Sequence, residues 1–198
     1  SRLYPDVRLD LDLTDNLVDI VEQGYDLAFR MGELAPSSLL AQKLDDNPVL
    51  LVASPEYLAR KGYPEHPEDL RNHDCLTLGE RQGWHLRGPD GAEYRIRCDF
   101  AARSNLGDAL VEWAAGGMGI AHAALWHAGP AIASGKLVPI LPGYSVFFDM
   151  KMWAVRPPGR LMPLRVKVFL DFMQSRIIAT NQKQFGSILP ELSQYLGK

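Results

Sequence analysis

The sequence has few cysteines and no long apolar run, and these absences exclude several classes of protein. Cys75 and Cys98 are the only cysteines among 198 residues, too few for a small disulfide-stapled fold, and we expect two reduced core thiols rather than a redox pair. No apolar run approaches the roughly 18 residues that span a bilayer. The N-terminus also lacks the basic region and apolar core of a secretion signal. We therefore expect a cytoplasmic chain with no membrane partner.

Basic residues are not in excess either. The formal net charge is −3 and the isoelectric point is near 5.9. Domains that bind nucleic acid usually carry a clustered excess of lysine and arginine. This chain alone is therefore not expected to contact DNA.

Motifs of common enzymes and metal sites are missing as well. The sequence has no G-x-S-x-G, no H-E-x-x-H and no phosphate-binding loop. The glycine-rich segment Gly116–Gly119 follows a helical pattern, whereas a phosphate loop precedes its helix. Two groups of potential ligands have no recognised metal-site spacing: His122 with His127, and His66 with His73 and Cys75. We predict no enzyme activity, no cofactor and no metal.

The segment from Pro5 to Gly32 has the pattern of a strand, a helix and a second strand. Apolar residues occupy every second position in Val7–Leu13, the period of a half-buried strand. Asp15 is placed to cap the helix that follows and Gly24 to end it, and the second strand is predicted at Leu27–Phe29. Two strands joined by one helix make a right-handed crossover with parallel strands, which predicts an α/β fold.

The rest of the chain continues with the same kinds of element. Strands are predicted at 50–53, 75–78, 119–121, 137–141 and 150–155, a hairpin at 84–100, and helices at 55–59, 105–117, 126–134 and 164–178. The chain begins in one lobe, crosses into a second near residues 49–54 and returns near residues 142–152. We predict a first lobe of residues 1–52 and 150–180, a second lobe of residues 53–149 and a C-terminal tail of residues 181–198. Two crossings allow hinge motion around a cleft.

Several segments in register resemble one known family. They are YPDVRLDLDLTDNLVDIVEQGYDLAFRMG, SSLLAQKL, LVASPEYLARKGYPEHPEDLRNHDCL, GGMGIA and SGKLVPIL. The chain resembles the effector-binding, or regulatory, domain of LysR-type transcriptional regulators, from Leu3 to about Ile178. The resemblance implies two Rossmann-like lobes of the type 2 periplasmic-binding-protein kind, with a small-molecule effector bound between them.

The resemblance also implies which residues face the effector. After the first strand and the second strand these are Thr14, Asp15, Phe29, Arg30 and Met31, and in the second lobe Ser104, Asn105, Gly119, Ile120 and Ala121. Hydroxyl, amide and backbone N–H groups at helix N-termini suit a small anionic or polar ligand. Simpler roles remain open: Asp15 and Ser104 are equally explained as helix caps, and Arg30 as the ion-pair partner of Glu33 or Asp26.

The same resemblance implies partners and missing parts. Family members form side-by-side dimers, with tetramers in the full-length protein, and contact DNA through an N-terminal winged helix-turn-helix that is absent here. The first strand and helix of the regulatory domain are also absent, so we expect the first lobe to be incomplete at its N-terminus. The missing strand would lie between Val7–Leu13 and Leu27–Phe29, and the tail around Phe185–Leu189 is a candidate to fill its place. The natural dimer surface is Val7–Leu13 with the helix after it.

Other functions fit the same fold. A solute-binding protein or a small cytosolic enzyme could use two such lobes, because a fold alone does not determine a function. A further alternative is a chain that serves mainly as an oligomerisation scaffold. Upstream sequence would distinguish these possibilities, since a winged helix favours the regulator and a signal sequence favours the solute binder.

Overall fold

The structure is a computed structural model, and it describes residues 4–14, 17–80, 82–147, 150–159 and 161–196. The strands are β1 (Ala28–Met31), β2 (Leu40–Asp45), β3 (Val49–Ala53), β4 (Cys75–Leu78), β5 (Gly83–Arg87), β6 (Glu93–Arg97), β7 (Phe100–Ser104), β8 (Ile120–Ala124), β9 (Val138–Pro139), β10 (Ser145–Val146) and β11 (Met152–Arg156). The α-helices are α1 (Pro55–Lys61), α2 (Gly107–Ala115), α3 (Leu125–Ala133), α4 (Leu164–Phe185) and α5 (Leu189–Leu192), and Pro67–Asn72 forms a 3-10 helix.

The first lobe is built on an antiparallel sheet of order β1–β11–β2. Helix α4 covers this sheet, and its Leu170 joins Leu44 and Ala154 in one buried cluster. The ring of Phe169 meets the ring of Phe29 edge-on, with 6.2 Å between their centroids. The apolar face of α4 is therefore the cover that the first-lobe sheet needs.

The second lobe contains a five-stranded sheet of order β7–β4–β8–β3–β9 and a smaller sheet of order β10–β5–β6. All residues of β3 are buried, which explains why its sequence is a continuous apolar run rather than an alternating one. Leu50 and Val52 face a core shared with α2 and α3, whereas Leu51 and Ala53 face a core shared with α1 and the smaller sheet. The mixed α/β, two-lobed fold expected from the sequence is thus present.

Several local predictions are confirmed. The hydroxyl of Ser54 accepts a hydrogen bond from the Tyr57 N–H at 3.2 Å and so caps α1, which ends at Gly62 with a φ of +92°. The predicted hairpin is formed by β5 and β6, and Gly91 adopts the positive φ that its turn requires.

Cys75 and Cys98 are both free and buried, as expected. The Cys75 thiol donates to the Leu70 carbonyl at 3.6 Å. The neighbouring Cys98 thiol, together with burial, raises the pKa of Cys75. Both side chains belong to the core between the two second-lobe sheets. Their burial fits the role of core thiols.

Of the opening segment, the predicted second strand is present as β1 (Ala28–Met31), but the predictions for the first strand and the helix are wrong. Val7–Leu13 is not a strand, and Leu9, Leu11 and Leu13 are 59%, 66% and 87% exposed. The expected helix is reduced to a turn around residues 20–24, where the Asp19 carboxylate accepts from the N–H groups of Val21 and Glu22 at 2.9 and 3.0 Å. Asp15, the predicted cap, lies outside the described residues.

The absence of a neighbouring strand explains this outcome. Within the described residues, β1 pairs with β11 on one side and with no strand on the other, and its pairing is antiparallel. The predicted parallel crossover is therefore not formed. Without a sheet to pack on, an isolated helix of about ten residues is marginal in water.

Two further segments differ from the sequence predictions. The tail does not fill the vacant side of β1, because Phe185 packs against Gly129 of α3 in the second lobe. Strand β3 pairs with β8 and β9, so sheet membership groups residues 49–52 with the second lobe, whereas the sequence assigned them to the first. Among the described residues no helix combines the length and the hydropathy needed to cross a membrane.

Candidate functional site

Three parallel strands of the second lobe end at one edge of its larger sheet. β4 is parallel to both β7 and β8, and the three strands end at Leu78, Ser104 and Ala124. Helices α2 and α3 begin just beyond this edge, and the first N–H groups of a helix have no partner within the helix. The Ser104 hydroxyl accepts a hydrogen bond from the Leu106 N–H at 3.0 Å, and Asn105 is exposed beside it.

The first crossing between the lobes passes this same edge. The Pro48 carbonyl accepts from the Leu125 N–H at 2.9 Å, and the side-chain oxygen of Asn47 accepts from the Trp126 N–H at 3.1 Å. Asn47 is only 2% exposed. Since the residue preceding α3 offers no side-chain cap, Asn47 caps this helix from the crossing segment. The edge that carries Ser104 therefore faces the first lobe.

Trp126 connects the two lobes at this edge. It packs against the α2–α3 core of the second lobe and also against the first-lobe cluster that contains Phe29 and Met152. Its indole N–H and the side-chain NH₂ of Asn47 are buried and have no hydrogen-bond partner among the described residues. Buried donors of this kind favour an acceptor from water or a ligand.

The side chain of His127 in α3 lies against the start of α2, where Asp108 is located. His127 Nδ1 and Asp108 Oδ1 are 2.6 Å apart, and the imidazole packs on Gly107 so closely that a Cβ there would lie 2.8 Å from the ring. Glycine at this position therefore lets the ring approach the N-terminus of α2. In the part of the chain that the structure describes, no three or more ligating side chains are grouped to hold a metal ion.

The facing edge of the first lobe is formed by the ends of β1 and β2. Met31 and Asp45, the last residues of these strands, both lie beside Met152, the first residue of β11. Met31 is 39% exposed, and the Gly32 N–H donates to the Lys151 carbonyl at 2.9 Å. This edge meets the two crossings, so it faces the second lobe.

Phe29 and Arg30 make other contacts. The Phe29 ring packs on α4. The Arg30 guanidinium donates to the Val18 carbonyl at 2.8 Å, while Asp26 pairs with Arg165 at 2.8 Å. Arg30 thus holds the turn around residues 20–24 against β1.

The other predicted residues that the structure describes are not brought to the interlobe edges. Thr14 is exposed in the N-terminal coil, and Asp15 lies outside the described residues. Gly119, Ile120 and Ala121 lie at the opposite end of β8, where the Ile120 N–H donates to the Asp74 carbonyl at 2.8 Å. The side chains of Ile120 and Ala121 are fully buried. An effector role for these residues stays a prediction without geometric support.

Tyr57 organises that opposite edge. Its hydroxyl accepts from the Asp74 N–H at 2.8 Å and lies 3.2 Å from His73 Nδ1. Burial raises the pKa of Tyr57 to about 12, and burial together with Lys61 lowers the pKa of His73. The cluster holds the loop before β4 in place, which is a structural role.

Two surface depressions lie away from the interlobe edges. One of about 340 Å³ lies between the turn at residues 20–26 and the segment that leads into α4. The other, of about 290 Å³, lies beside Arg97, Phe100 and Arg103. Neither is lined by Ser104, Asn105 or Trp126. The candidate site therefore rests on the strand ends and the crossing, and not on a closed cavity.

Sequence reasoning missed Asn47 and Trp126 as site residues. An Asn-Pro pair before an apolar strand is a turn signal, but nothing local indicates that its side chain reaches across to α3. Trp126 lies two residues after the end of the buried strand β8, as Asn105 lies just after the end of β7, and the rule that ligands bind beyond strand ends applies to both.

The sequence matches the family described as the LysR substrate binding domain over residues 1–177. It is 35% identical over 178 residues to the HTH-type transcriptional regulator DmlR of Escherichia coli K12, covering 88% of this chain and 57% of DmlR. It is also 35% identical over 173 residues to the HTH-type transcriptional regulator CrgA of Neisseria meningitidis serogroup C, covering 86% of this chain and 57% of CrgA. The chain thus spans 57% of the length of these two relatives.

Solved structures of regulatory domains share the fold. The CrgA regulatory domain from Neisseria meningitidis superposes with a TM-score of 0.73 at 32% identity, covering 88% of this chain and 86% of that domain. The AphB regulatory domain from Vibrio vulnificus gives 0.74 at 29% identity, with coverages of 90% and 87%. The curated relatives are transcriptional regulators and not enzymes. The chain belongs to the LysR substrate binding domain family, the regulatory domain of LysR-type transcriptional regulators.

Proposed function

We propose that this chain senses a small anionic or polar effector between its two lobes and transmits the bound state to a winged helix-turn-helix on the same polypeptide. The proposal is carried by the two edges beside the crossings: the second-lobe edge holds Ser104 and Asn105 before α2, and the first-lobe edge holds Met31 at the end of β1. A helix N-terminus with hydroxyl and amide groups favours a carboxylate or another anion.

The lobes assigned to this site follow from sheet membership. We propose a first lobe of residues 4–45 and 152–177 and a second lobe of residues 49–147, with crossings at 46–48 and 148–151. Asn47 and Trp126 at the first crossing add two buried hydrogen-bond donors to the polar groups at the edge. A ligand that binds both edges stabilises one interlobe angle over others, which is how it would bias the position of an attached domain.

The assembly is part of the proposal. We infer a cytoplasmic protein that forms homodimers, and tetramers when full length, with DNA contacts made by the helix-turn-helix. The exposed leucine row, Leu9, Leu11 and Leu13, is an apolar surface of the kind that a two-fold interface buries.

Thermal stability in the presence of small carboxylates tests the effector site. Acetate, benzoate and succinate are titrated while the melting temperature is recorded. A ligand at a hundredfold its Kd stabilises the folded state by about 2.7 kcal/mol, which raises the Tm of a domain of this size by about 5–10 °C.

A pair of variants shows whether the carboxylate that shifts the Tm binds at the start of α2. Ser104→Ala combined with Asn105→Ala should abolish the Tm shift, because it removes the hydroxyl and amide beside α2. Ser134→Ala is the matched control, since the Ser134 hydroxyl donates to the Ala131 carbonyl at the C-terminal end of α3, away from the start of α2. An equal shift in both variants would place the ligand elsewhere, and no shift with any carboxylate would remove the support for an anionic effector.

A further inference from the structure

The C-terminal part of the chain continues beyond the family match and contacts both lobes. The match ends at residue 177, but α4 runs on without interruption to Phe185. The first half of α4 covers the first-lobe sheet through Phe169 and Leu170. Residues 178–196, named here the C-terminal strap, lead from that surface to the second lobe.

Phe185 anchors the strap in the second lobe. Its side chain is 2% exposed and belongs to the core that α3 shares with the five-stranded sheet. The ring lies directly on Gly129 of α3, where a Cβ would be only 2.3 Å from the ring. The position of Gly129 therefore creates the space that the Phe185 ring occupies.

The rest of the strap extends the same contact. Leu192 is 2% exposed, and Ile188, Tyr195 and Leu196 pack around the same core. The Gln194 carbonyl accepts a hydrogen bond from the Gly143 N–H at 2.6 Å. Nearer the first lobe, the Asn181 side chain hydrogen-bonds to Asp45 at the end of β2, just before the first crossing. The strap thus runs from the end of β2, across the α2–α3 core, to the segment that contains Gly143.

We propose that the C-terminal strap is a conformational restraint that holds the two lobes at one angle. Two covalent crossings alone permit rotation about a hinge. The strap is a third link between the lobes, fixed on the first-lobe helix at one end and buried in the second lobe at the other. It opposes that rotation as long as the Phe185 ring stays packed on Gly129. The proposal does not depend on which effector the chain binds, because it concerns the unliganded protein.

The distance between the lobes measures this restraint. Spin labels at Leu40→Cys in β2 and Glu56→Cys in α1 occupy exposed positions on the two lobes, whereas the native cysteines are buried. In the 198-residue chain we expect one narrow distance distribution by electron–electron double resonance. Phe185→Ala should widen it and lower the Tm by about 6–20 °C, the range for losing a buried phenylalanine in a domain of this size.

Phe172→Ala is the matched control. Phe172 lies in the same helix but contacts Tyr4 and Arg176 rather than the second lobe, so its removal should leave the distance distribution narrow. A narrow distribution in Phe185→Ala, with a lowered Tm, would mean that the strap merely covers the second lobe and would overturn the proposal. If Phe185→Ala fails to fold, a chain ending at Gly186 retains the Phe185 anchor but loses Leu192, and it should give a partly widened distribution; an unchanged one would likewise overturn the proposal.

Gly129→Ala tests the contact between Gly129 and the Phe185 ring. In the parent chain the new methyl group meets the Phe185 ring, so this variant should also widen the distribution. In the Phe185→Ala background the ring is gone, and Gly129→Ala should raise the Tm, because alanine favours a helix over glycine. Additive effects of the two substitutions would contradict direct contact between these residues.

Discussion

Asn47 is the residue on which the junction of the lobes depends most directly. Its side-chain oxygen supplies the hydrogen-bond cap that α3 lacks locally. Asn47→Ala removes that acceptor from a buried helix N-terminus, and we expect a loss of about 1–2 kcal/mol in the free energy of unfolding. Urea denaturation measures this loss.

The exposed Asn72 provides the comparison for this change. Asn72→Ala, at the end of the 3-10 helix, should alter the free energy of unfolding by less than about 0.5 kcal/mol. If both variants unfold at the same urea concentration as the parent, Asn47 does not cap α3 in solution.

The 3-10 helix at Pro67–Asn72 shows how a short element is stabilised by its caps. The Asp69 carboxylate accepts from the N–H groups of His66 and Glu65 at 2.9 and 3.0 Å, and these bonds lower the pKa of Asp69. The stabilising contribution is therefore complete above the ordinary carboxyl pKa of about 4 and is lost as the pH falls through the lowered value. A plot of Tm against pH should show this loss in the parent chain.

Asp69→Asn isolates the carboxylate charge in that experiment. Asparagine keeps an oxygen acceptor but does not titrate, so this variant should have a flatter Tm profile below about pH 4. Asp69→Ala should lower the Tm at neutral pH as well, because no acceptor remains. Parallel profiles for the parent and Asp69→Asn would show that other carboxylates cause the acid loss.

Elements whose stability is local were predictable from the sequence, and the element that needs a distant partner was not. Helix α1 begins at the side-chain hydrogen bond of Ser54 and ends at the positive φ of Gly62. The turn of the β5–β6 hairpin depends on the positive φ of Gly91. Val7–Leu13 has an equally clear alternating pattern, but a strand forms only when another strand accepts its hydrogen bonds. An alternating apolar pattern shows which side chains share a face of a strand, but it does not show whether a partner strand is present.

The residues of the candidate site also differ in whether the structure places them where the sequence analysis expected. Ser104 was assigned by resemblance as a residue before the second-lobe helix, and in the structure it ends β7 just before α2. Gly119–Ala121 was assigned by resemblance to a motif, and the structure puts that motif at the other end of its strand. Asn47 and Trp126 meet only because the crossing brings β3 beside β8, a pairing between residues far apart in sequence.

At the scale of the whole molecule, the exposed leucine row is the surface that we expect to control self-association. Replacing Leu9, Leu11 and Leu13 together by lysine removes apolar area that is already exposed to solvent, so the fold should be unaffected. The monomer fraction measured by sedimentation velocity should rise, because a two-fold interface repeats each new charge on both subunits.

Leu161→Lys serves as the reference in the sedimentation experiment. Leu161 is 88% exposed and lies in the segment that leads into α4, outside the leucine row. It should sediment as the parent does. Equal association of all three proteins would exclude the leucine row as the contact surface.

The seating of Phe185 on Gly129 has a consequence for hybrid regulators assembled from related proteins. If residues 49–147 alone were exchanged, the transplanted second lobe would contain Gly129 without the donor's Phe185 ring that packs on it. The recipient chain need not have a phenylalanine at that position. The donor's residues after 177 complete that lobe although they are separated from it in sequence. A functional exchange unit is therefore discontinuous, and chimeras should be cut at both places.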